Sequence, residues 1–254
     1  MINVGVIGYG YWGPNVARNF LALKDAKVRM ICDRDAGALK KAEELCAPVV
    51  LCRDYLEVIQ SRAIDAVAIV TSPTTHFTIA KKALEHGKHI FVEKPFTTTA
   101  KEAEILIKIA EKRKLTIMVD HTFIFTGAVR KIKEVIKNNT LGNLYYYDST
   151  RVSLGLFQGD TNVIWDLAAH DFAIMDYVVK NKPLALTAHG VDHMKRGHEN
   201  MAYIQVIEPL MNAELSNMRS SCQCRKEYCP QYFSTAGIAH TYIYITFKRK
   251  YHYK

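Results

Sequence analysis

The sequence predicts an α/β protein: a doubly wound, mainly parallel sheet over residues 1–120, followed by an α+β part over residues 121–254 with a mainly antiparallel open sheet. Three observations predict it. Short apolar runs alternate with amphipathic segments up to residue 120, as βαβ units do. The first run, beginning at Val4, leads straight into a glycine turn, VGVIGYGYWG, with Gly8, Gly10 and Gly13 in the positions of GxGxxG. Beyond Asp120 the alternation stops, and strands and helices fall into separate runs.

Each element has its own signal. Val4 to Ile7 is the opening strand, and the glycines suit a tight strand-to-helix turn in which backbone amides approach a pyrophosphate. That is the arrangement of a Rossmann-type dinucleotide domain. Asn15 to Leu23 follows as a helix with Val16, Ala17, Phe20 and Leu21 on one face, and Pro14 sits just inside its start. Strand Val28 to Cys32 ends at Asp33, twenty residues beyond Gly13, where a carboxylate accepts hydrogen bonds from ribose hydroxyls and repels a 2′-phosphate. Asp33 therefore favours NAD over NADP, while Arg34 beside it leaves room for the phosphorylated cofactor.

Helix Ala36 to Cys46, strand Pro48 to Leu51 and helix Tyr55 to Gln60 come next. Strand Ala66 to Val70 runs into TSPTTHF, ahead of a helix from Phe77 to His86 that ends at Gly87. Strand His89 to Val92, helix Ala100 to Lys114 and strand Thr116 to Val119 complete the alternation. Right-handed crossovers place all the strand C-termini on one rim, so Gly8, Asp33, Ser72 and Glu93 are expected along it. In the second part, a helix Gly127 to Lys137 precedes strand Asn143 to Val152. A long loop through Gly155 and Gly159 then leads to a helix Val163 to Val179 and to strands Leu184 to Val191 and Met201 to Ile207. The tail from residue 208 to 254 has no clear period until Ile238 to Phe247, which alternates like a strand.

Composition narrows the function classes. Hydrophobic residues make up 49% and charged residues 23%, a balance that excludes disordered and fibrous chains. The net charge of +9 is dispersed over helices such as Lys101 to Lys114 and Arg130 to Lys137, which argues for solvated faces and against nucleic-acid binding. The N-terminus lacks a secretion signal, and no apolar run approaches the roughly eighteen residues of a membrane span, so a cytoplasmic protein is expected. Cys32, Cys46 and Cys52 are dispersed, and Cys222, Cys224 and Cys229 follow a CxCxxxxC spacing that is not a zinc pattern. Free thiols and no metal are expected.

Two stretches could carry chemistry. Glu93-Lys94-Pro95 closes the fifth strand, and the proline biases Lys94 towards an extended backbone, which fixes the lysine's direction. A lysine ammonium there can stabilise a developing alkoxide, and a nicotinamide cation nearby would depress its pKa. Taken alone, Lys94 reads better as a surface lysine ending a strand. In WDLAAHD, Trp165 to Asp171, a helix would put Asp166 and His170 on one face, with Asp166 orienting a histidine that takes a hydroxyl proton. Spacing alone fits a packed histidine as well.

GVIGYGYWG, the TSPTTH turn, the EKP lysine and the DxxxH helix, in this order, resemble the Gfo/Idh/MocA oxidoreductases over roughly residues 1 to 207. VGVIGYGYWGPNVARNF, VDHTF and NVIWDLAAHD resemble most the branch that oxidises position 3 of a UDP-linked N-acetyl amino sugar or its uronic acid. The resemblance implies that Lys94, Asp166 and His170 are catalytic. It implies that Ser72, Pro73, Thr74, His76 and Glu93 lie near the cofactor, together with Tyr11 and Trp12 of the glycine turn, and that Arg151 and Asn162 contact a sugar nucleotide. Whether Lys94 or His170 is the base stays open. A homodimer or homotetramer through the second sheet is expected.

Asp120 departs from the family pattern, in which glycine is common there. The tail is a larger departure and reads as an altered or truncated version of the family's last strands. The expected activity is therefore NAD-dependent oxidation of a sugar hydroxyl, with inositol or another free sugar as the alternative substrate class. The competing expectation is an impaired NAD-binding or assembly protein with an incomplete substrate domain.

Overall fold

Six apolar strands, each a few residues long, form the first sheet. The computed structural model of the chain describes residues 1–46, 48–140, 142, 144–152, 161–179, 182–207, 218–221 and 240–247. Two compact units make it up, Met1–Asp120 and His121–Lys254. In the first, strands β1 (Ile2–Ile7), β2 (Ala26–Cys32), β3 (Val50–Cys52), β4 (Ala66–Ile69), β5 (His89–Val92) and β6 (Ile117–Val119) alternate with helices. These helices are α1 (Gly13–Leu21), α2 (Ala36–Cys46), α3 (Tyr55–Gln60), α4 (Pro73–Glu85) and α5 (Ala100–Arg113).

All six strands are parallel, in the order β3-β2-β1-β4-β5-β6. The chain winds outward one way from β1 and then the other way from β4, so the crevice between β1 and β4 is the switch point at which open α/β sheets bind ligands. Alternate residues supply two cores. Val6 and Ala68 pack with Val28 and Ile31 on one face, while Ile7, Val67, Ile69 and Ile90 pack with helical Ala80 and Leu84 on the other.

Several boundaries differ from the sequence reading, most of all the start of α4. TSPTTH was read as a turn ahead of a helix starting at Phe77, but α4 begins at Pro73, with Ser72 at its N-cap. Proline fits the first helical turn because its missing N–H has no partner to lose there, so the turn is the opening of the helix itself.

The second unit starts with a 3₁₀ turn, Thr122–Phe125, followed by α6 (Gly127–Lys137) and β7 (Leu144–Val152). A π-helical turn, Ile164–Ala168, leads into α7 (Ala169–Val179), and β8 (Ala185–Val191), β9 (Met201–Ile207), β10 (Met218–Ser221) and β11 (His240–Phe247) follow. The strands pair antiparallel as β10-β9-β8 and as β11-β7. Ile204 and Val206 of β9 join Tyr147, Val129, Ile174, Met175 and Val178 in the core, whereas β8 is exposed along its length. β10 lies in the stretch where the sequence shows no period. Cys222, Cys224, Cys229, Gly155 and Gly159 lie outside the described residues. Among the described residues, no helix is long and apolar enough to cross a membrane.

Candidate active site

The glycine turn leaves β1 at the switch point. Gly8 has φ of 96°, and a Cβ there would stand 2.4 Å from the Val70 carbonyl oxygen; one at Gly13 would stand 2.5 Å from the Gly8 carbonyl oxygen. Both positions exclude a side chain, whereas a Cβ at Gly10 would meet nothing within 4 Å. The Gly10 backbone is thus open to an incoming ligand, and α1, which opens next, has no side-chain cap on its first amides. That suits an anion such as a pyrophosphate. Tyr11 and Trp12 stack on each other over this turn, at 6.4 Å between ring centroids, and both are exposed.

Asp33, at the tip of β2, is latched to the turn. Its Oδ2 accepts the Tyr9 N–H at 2.6 Å and its Oδ1 the Asp35 N–H at 2.9 Å, while the Gly8 N–H donates to the Cys32 carbonyl at 2.9 Å. Each carboxylate oxygen keeps a second lone pair with which to accept a ribose hydroxyl. The neighbouring Arg34 carbonyl accepts from Arg53 Nε and Nη2, at 3.2 and 2.7 Å. Together the open glycine turn, the uncapped helix start and the strand-tip carboxylate fit a dinucleotide.

Further along the rim, Thr75 donates its side-chain hydroxyl to the Ser72 carbonyl at 2.8 Å, which tightens the start of α4. His76 is fully buried, its Nδ1 2.9 Å from the Pro95 carbonyl and its Nε2 2.9 Å from the Thr71 carbonyl. It ties the turn after β4 to the turn after β5, so it stands behind the rim while Ser72, Pro73 and Thr74 are less buried. Lys94 is half-buried directly after β5, and the Lys94–Pro95 peptide is cis.

Asp120 does not face solvent. It is 9% exposed, and β5 and β6 are in register at Val92 and Val119, so Glu93 and Asp120 leave the sheet side by side. Burial foremost, then the Asp120 carboxyl through hydrogen bonding and charge, pushes the Glu93 carboxyl up to about 8. The Lys94 N–H donates to Glu93 Oε2 at 3.2 Å and pulls slightly the other way.

In the second unit, Asp166 belongs to the π-helical turn and His170 to the first turn of α7, so the two straddle a π-to-α junction instead of one regular helix face. Such π-bulges are frequent at functional sites. His170 is 9% exposed and packs edge-on against Phe123, with 4.6 Å between centroids. Phe123 also lies under the Arg151 guanidinium, 4.6 Å from its ring centroid.

Arg151 and Asn162, expected as sugar-nucleotide contacts, direct polar atoms to neighbouring residues. Arg151 Nε and Nη2 donate to Asp171 at 2.9 and 3.2 Å, and Ser149 Oγ donates to the same carboxylate at 2.7 Å. Asn162 accepts the Trp165 N–H at 3.1 Å through its side-chain oxygen and donates its amide to Glu199 at 3.3 Å. A cavity of about 40 Å³ lies beside Tyr147, Ser149 and Asp171. It holds a water or so and not a sugar. The Tyr147 hydroxyl is buried with no hydrogen-bond partner among the described residues, and burial together with Asp171 pushes its pKa up.

Sequence reasoning missed Phe123, Ser149 and Asp171, which no local spacing singles out. Asp120 stood out in the sequence as a departure one strand away from Glu93, but that the two carboxyls lie side by side follows only from β5 and β6 being neighbours in the sheet. Sequence reasoning also missed the register of Cys32 with Cys52, both buried with free thiols.

A family profile described as an oxidoreductase family with an NAD-binding Rossmann fold, Gfo/Idh/MocA, matches residues 2–121. The chain is 30% identical over 192 residues to a UDP-N-acetylglucosamine 3-dehydrogenase of Acidithiobacillus ferrooxidans, covering 75% of this chain and 58% of the relative. It is 25% identical over 201 residues to a myo-inositol 2-dehydrogenase of Thermotoga maritima, covering 74% and 58%. The fold is similar to that of GenD2 from gentamicin A biosynthesis, solved in complex with NAD, with a TM-score of 0.83 at 17% identity over 97% of this chain and 70% of that one. The chain thus spans little more than half the length of these two curated relatives.

Proposed function

We propose that the chain, whose residues 2–121 match the profile of the Gfo/Idh/MocA oxidoreductase family, is an NAD-dependent dehydrogenase acting on a secondary hydroxyl of a sugar or polyol. The first candidate substrate is a UDP-linked N-acetyl amino sugar or its uronic acid, oxidised at position 3; inositols are the second, since relatives of both kinds match. The observation that carries the reading is the Tyr9–Asp33 latch, which holds a strand-tip carboxylate beside an open glycine turn, on the sheet rim that also bears Lys94.

In this reading the turn at Gly8, Gly10 and Gly13 takes the pyrophosphate, and Asp33 takes the adenosine ribose and repels a 2′-phosphate. NAD, when bound, supplies the acceptor for the hydride that leaves the carbinol carbon. The chain's own residues handle the proton. Lys94 stabilises negative charge developing on the hydroxyl oxygen, and Lys94 Nζ and a nitrogen of the His170 ring are the two acceptors proposed for its proton, with Asp166 orienting His170. Self-association through the sheet of the second unit, whose β8 strand is exposed, belongs to the same proposal.

Formation of NADH is measured with a panel of UDP-sugars and free inositols. Turnover with one class is expected. Lys94→Met and His170→Asn should each lower kcat at least about 100-fold and leave NAD affinity nearly intact. Asp33→Ala should raise the preference for NADP relative to NAD, and an unchanged ratio contradicts the ribose assignment. Tight NAD binding with no turnover on any member of the panel would overturn the dehydrogenase reading.

A further inference from the structure

The corner formed by the ends of β5 and β6 holds two carboxyls, Glu93 and Asp120. The Asp120 N–H donates to the Val92 carbonyl at 2.8 Å, which fixes the strand end and brings the Asp120 side chain beside Glu93. Asp120 is nine-tenths buried, and Glu93 Oε1 is buried with no hydrogen-bond partner among the described residues. Glu93 Oε2 is held by the Lys94 N–H. The charged groups that bear on Glu93 are Asp120, from the end of β6, and Lys94, next in the chain. β4 contributes the Ile69 carbonyl, which accepts the Glu93 N–H at 3.0 Å.

Two carboxyls side by side in a poorly solvated corner disfavour ionisation of Glu93 next to a charged neighbour. A proton between them is what satisfies Oε1, because neither ionised carboxylate is a donor. The geometry points to Glu93 and Asp120 sharing one proton beside Lys94, and to Glu93, once that proton has left, as the carboxylate that receives the proton Lys94 must give up between turnovers. This deepens the dehydrogenase reading and rests on it for the second half. In the step an Nζ–H bond of the Lys94 ammonium breaks and an Oε1–H bond on Glu93 forms. Lys94 is left as the neutral amine, no electrons are transferred, and the proton later leaves Glu93 for solvent. Asp120 is a positioning residue here: it sets when Glu93 is free to accept.

The pair is tested on the full chain without cofactor or substrate, by infrared titration of carboxyl groups and by NMR titration of ¹³C-methylated Lys94. The protonated-acid carbonyl band expected at pH 7 fades near pH 8, is missing in Glu93→Gln, and in Asp120→Asn fades at least about one pH unit lower. Lys94 shows a second inflection at the same midpoint, and Glu93→Gln removes it. Absence of the band at pH 7, an unmoved midpoint in Asp120→Asn, or a Lys94 titration indifferent to Glu93→Gln each overturns the proposal.

The kinetic readout applies if a substrate is found: kcat for oxidation rises through the same midpoint, and Glu93→Gln flattens the rise and costs about tenfold at high pH. A pH profile identical to wild type in Glu93→Gln overturns the relay. Failure of turnover on every sugar overturns the dehydrogenase reading and the relay together, while the carboxyl titration still decides whether the proton is shared.

Discussion

Removing the Asp171 carboxylate should unfold the second unit before the first. The side chains of Arg151 and Asp171 are 2% and 13% exposed, and their ion pair is bidentate, with a further hydrogen bond from Ser149 to Asp171. Asp171→Asn leaves the guanidinium buried without its counter-ion, a change that costs about 3–5 kcal/mol at comparable sites. A domain's whole stability is on the order of 5–15 kcal/mol, so this loss removes a large share of it. Replacing both partners by apolar residues, Arg151→Met with Asp171→Leu, removes the charge and its desolvation together and should return the unit to within about 1 kcal/mol of wild type. The assay is urea unfolding followed by tryptophan fluorescence. The chain has two tryptophans, Trp12 in the first unit and Trp165 in the second, so a Trp12→Phe background reports the second unit alone. A loss below about 1 kcal/mol for Asp171→Asn, or a double variant as unstable as the single one, would refute the argument that the pair is held by mutual compensation of buried charge.

Two further outcomes follow from the first unit. Glu93 holds its proton more tightly folded than unfolded, since its value rises from 4.5 to about 8. Its contribution is therefore fully present below about 4.5 and is lost as pH rises through 8; at about 1.36 kcal/mol per pH unit the window is worth up to ~5 kcal/mol, shared with Asp120. Glu93→Gln should gain on wild type in urea unfolding as pH rises from 5 to 9, and a difference independent of pH contradicts the shift. Gly8→Ala places a methyl group 2.4 Å from the Val70 carbonyl oxygen at φ of 96°, so it should cost roughly 1–3 kcal/mol in backbone strain alone and weaken NAD binding at least about tenfold. Isothermal titration with wild-type affinity would show that the turn is not the binding element.

The sequence alone was enough to order the first unit and to find its turn. Period-two apolar runs and period-3.6 helices are local properties, and only glycine can occupy Gly8 at positive φ against the Val70 carbonyl, so a strand, the turn and a helix follow from one short segment. Asp33 was legible for the same reason, being the residue after an apolar run at a fixed remove from the turn. The helix through Asp166 and His170 was legible only as a helix, because a π-helical turn leaves no mark in the spacing of apolar residues.

Tertiary structure alone decided the rest. Which strand lies beside which is a property of the whole sheet, and it is the adjacency of β5 and β6 that puts Asp120 next to Glu93, where it adds to burial in raising the Glu93 pKa. The same holds for Arg151. The family resemblance implied a sugar-nucleotide contact, but β7 delivers Arg151 to Asp171 on α7, twenty residues away, where a buried guanidinium is stable only with its carboxylate. Local sequence sets which conformations a segment prefers, and burial, which no segment determines by itself, sets which charges must meet.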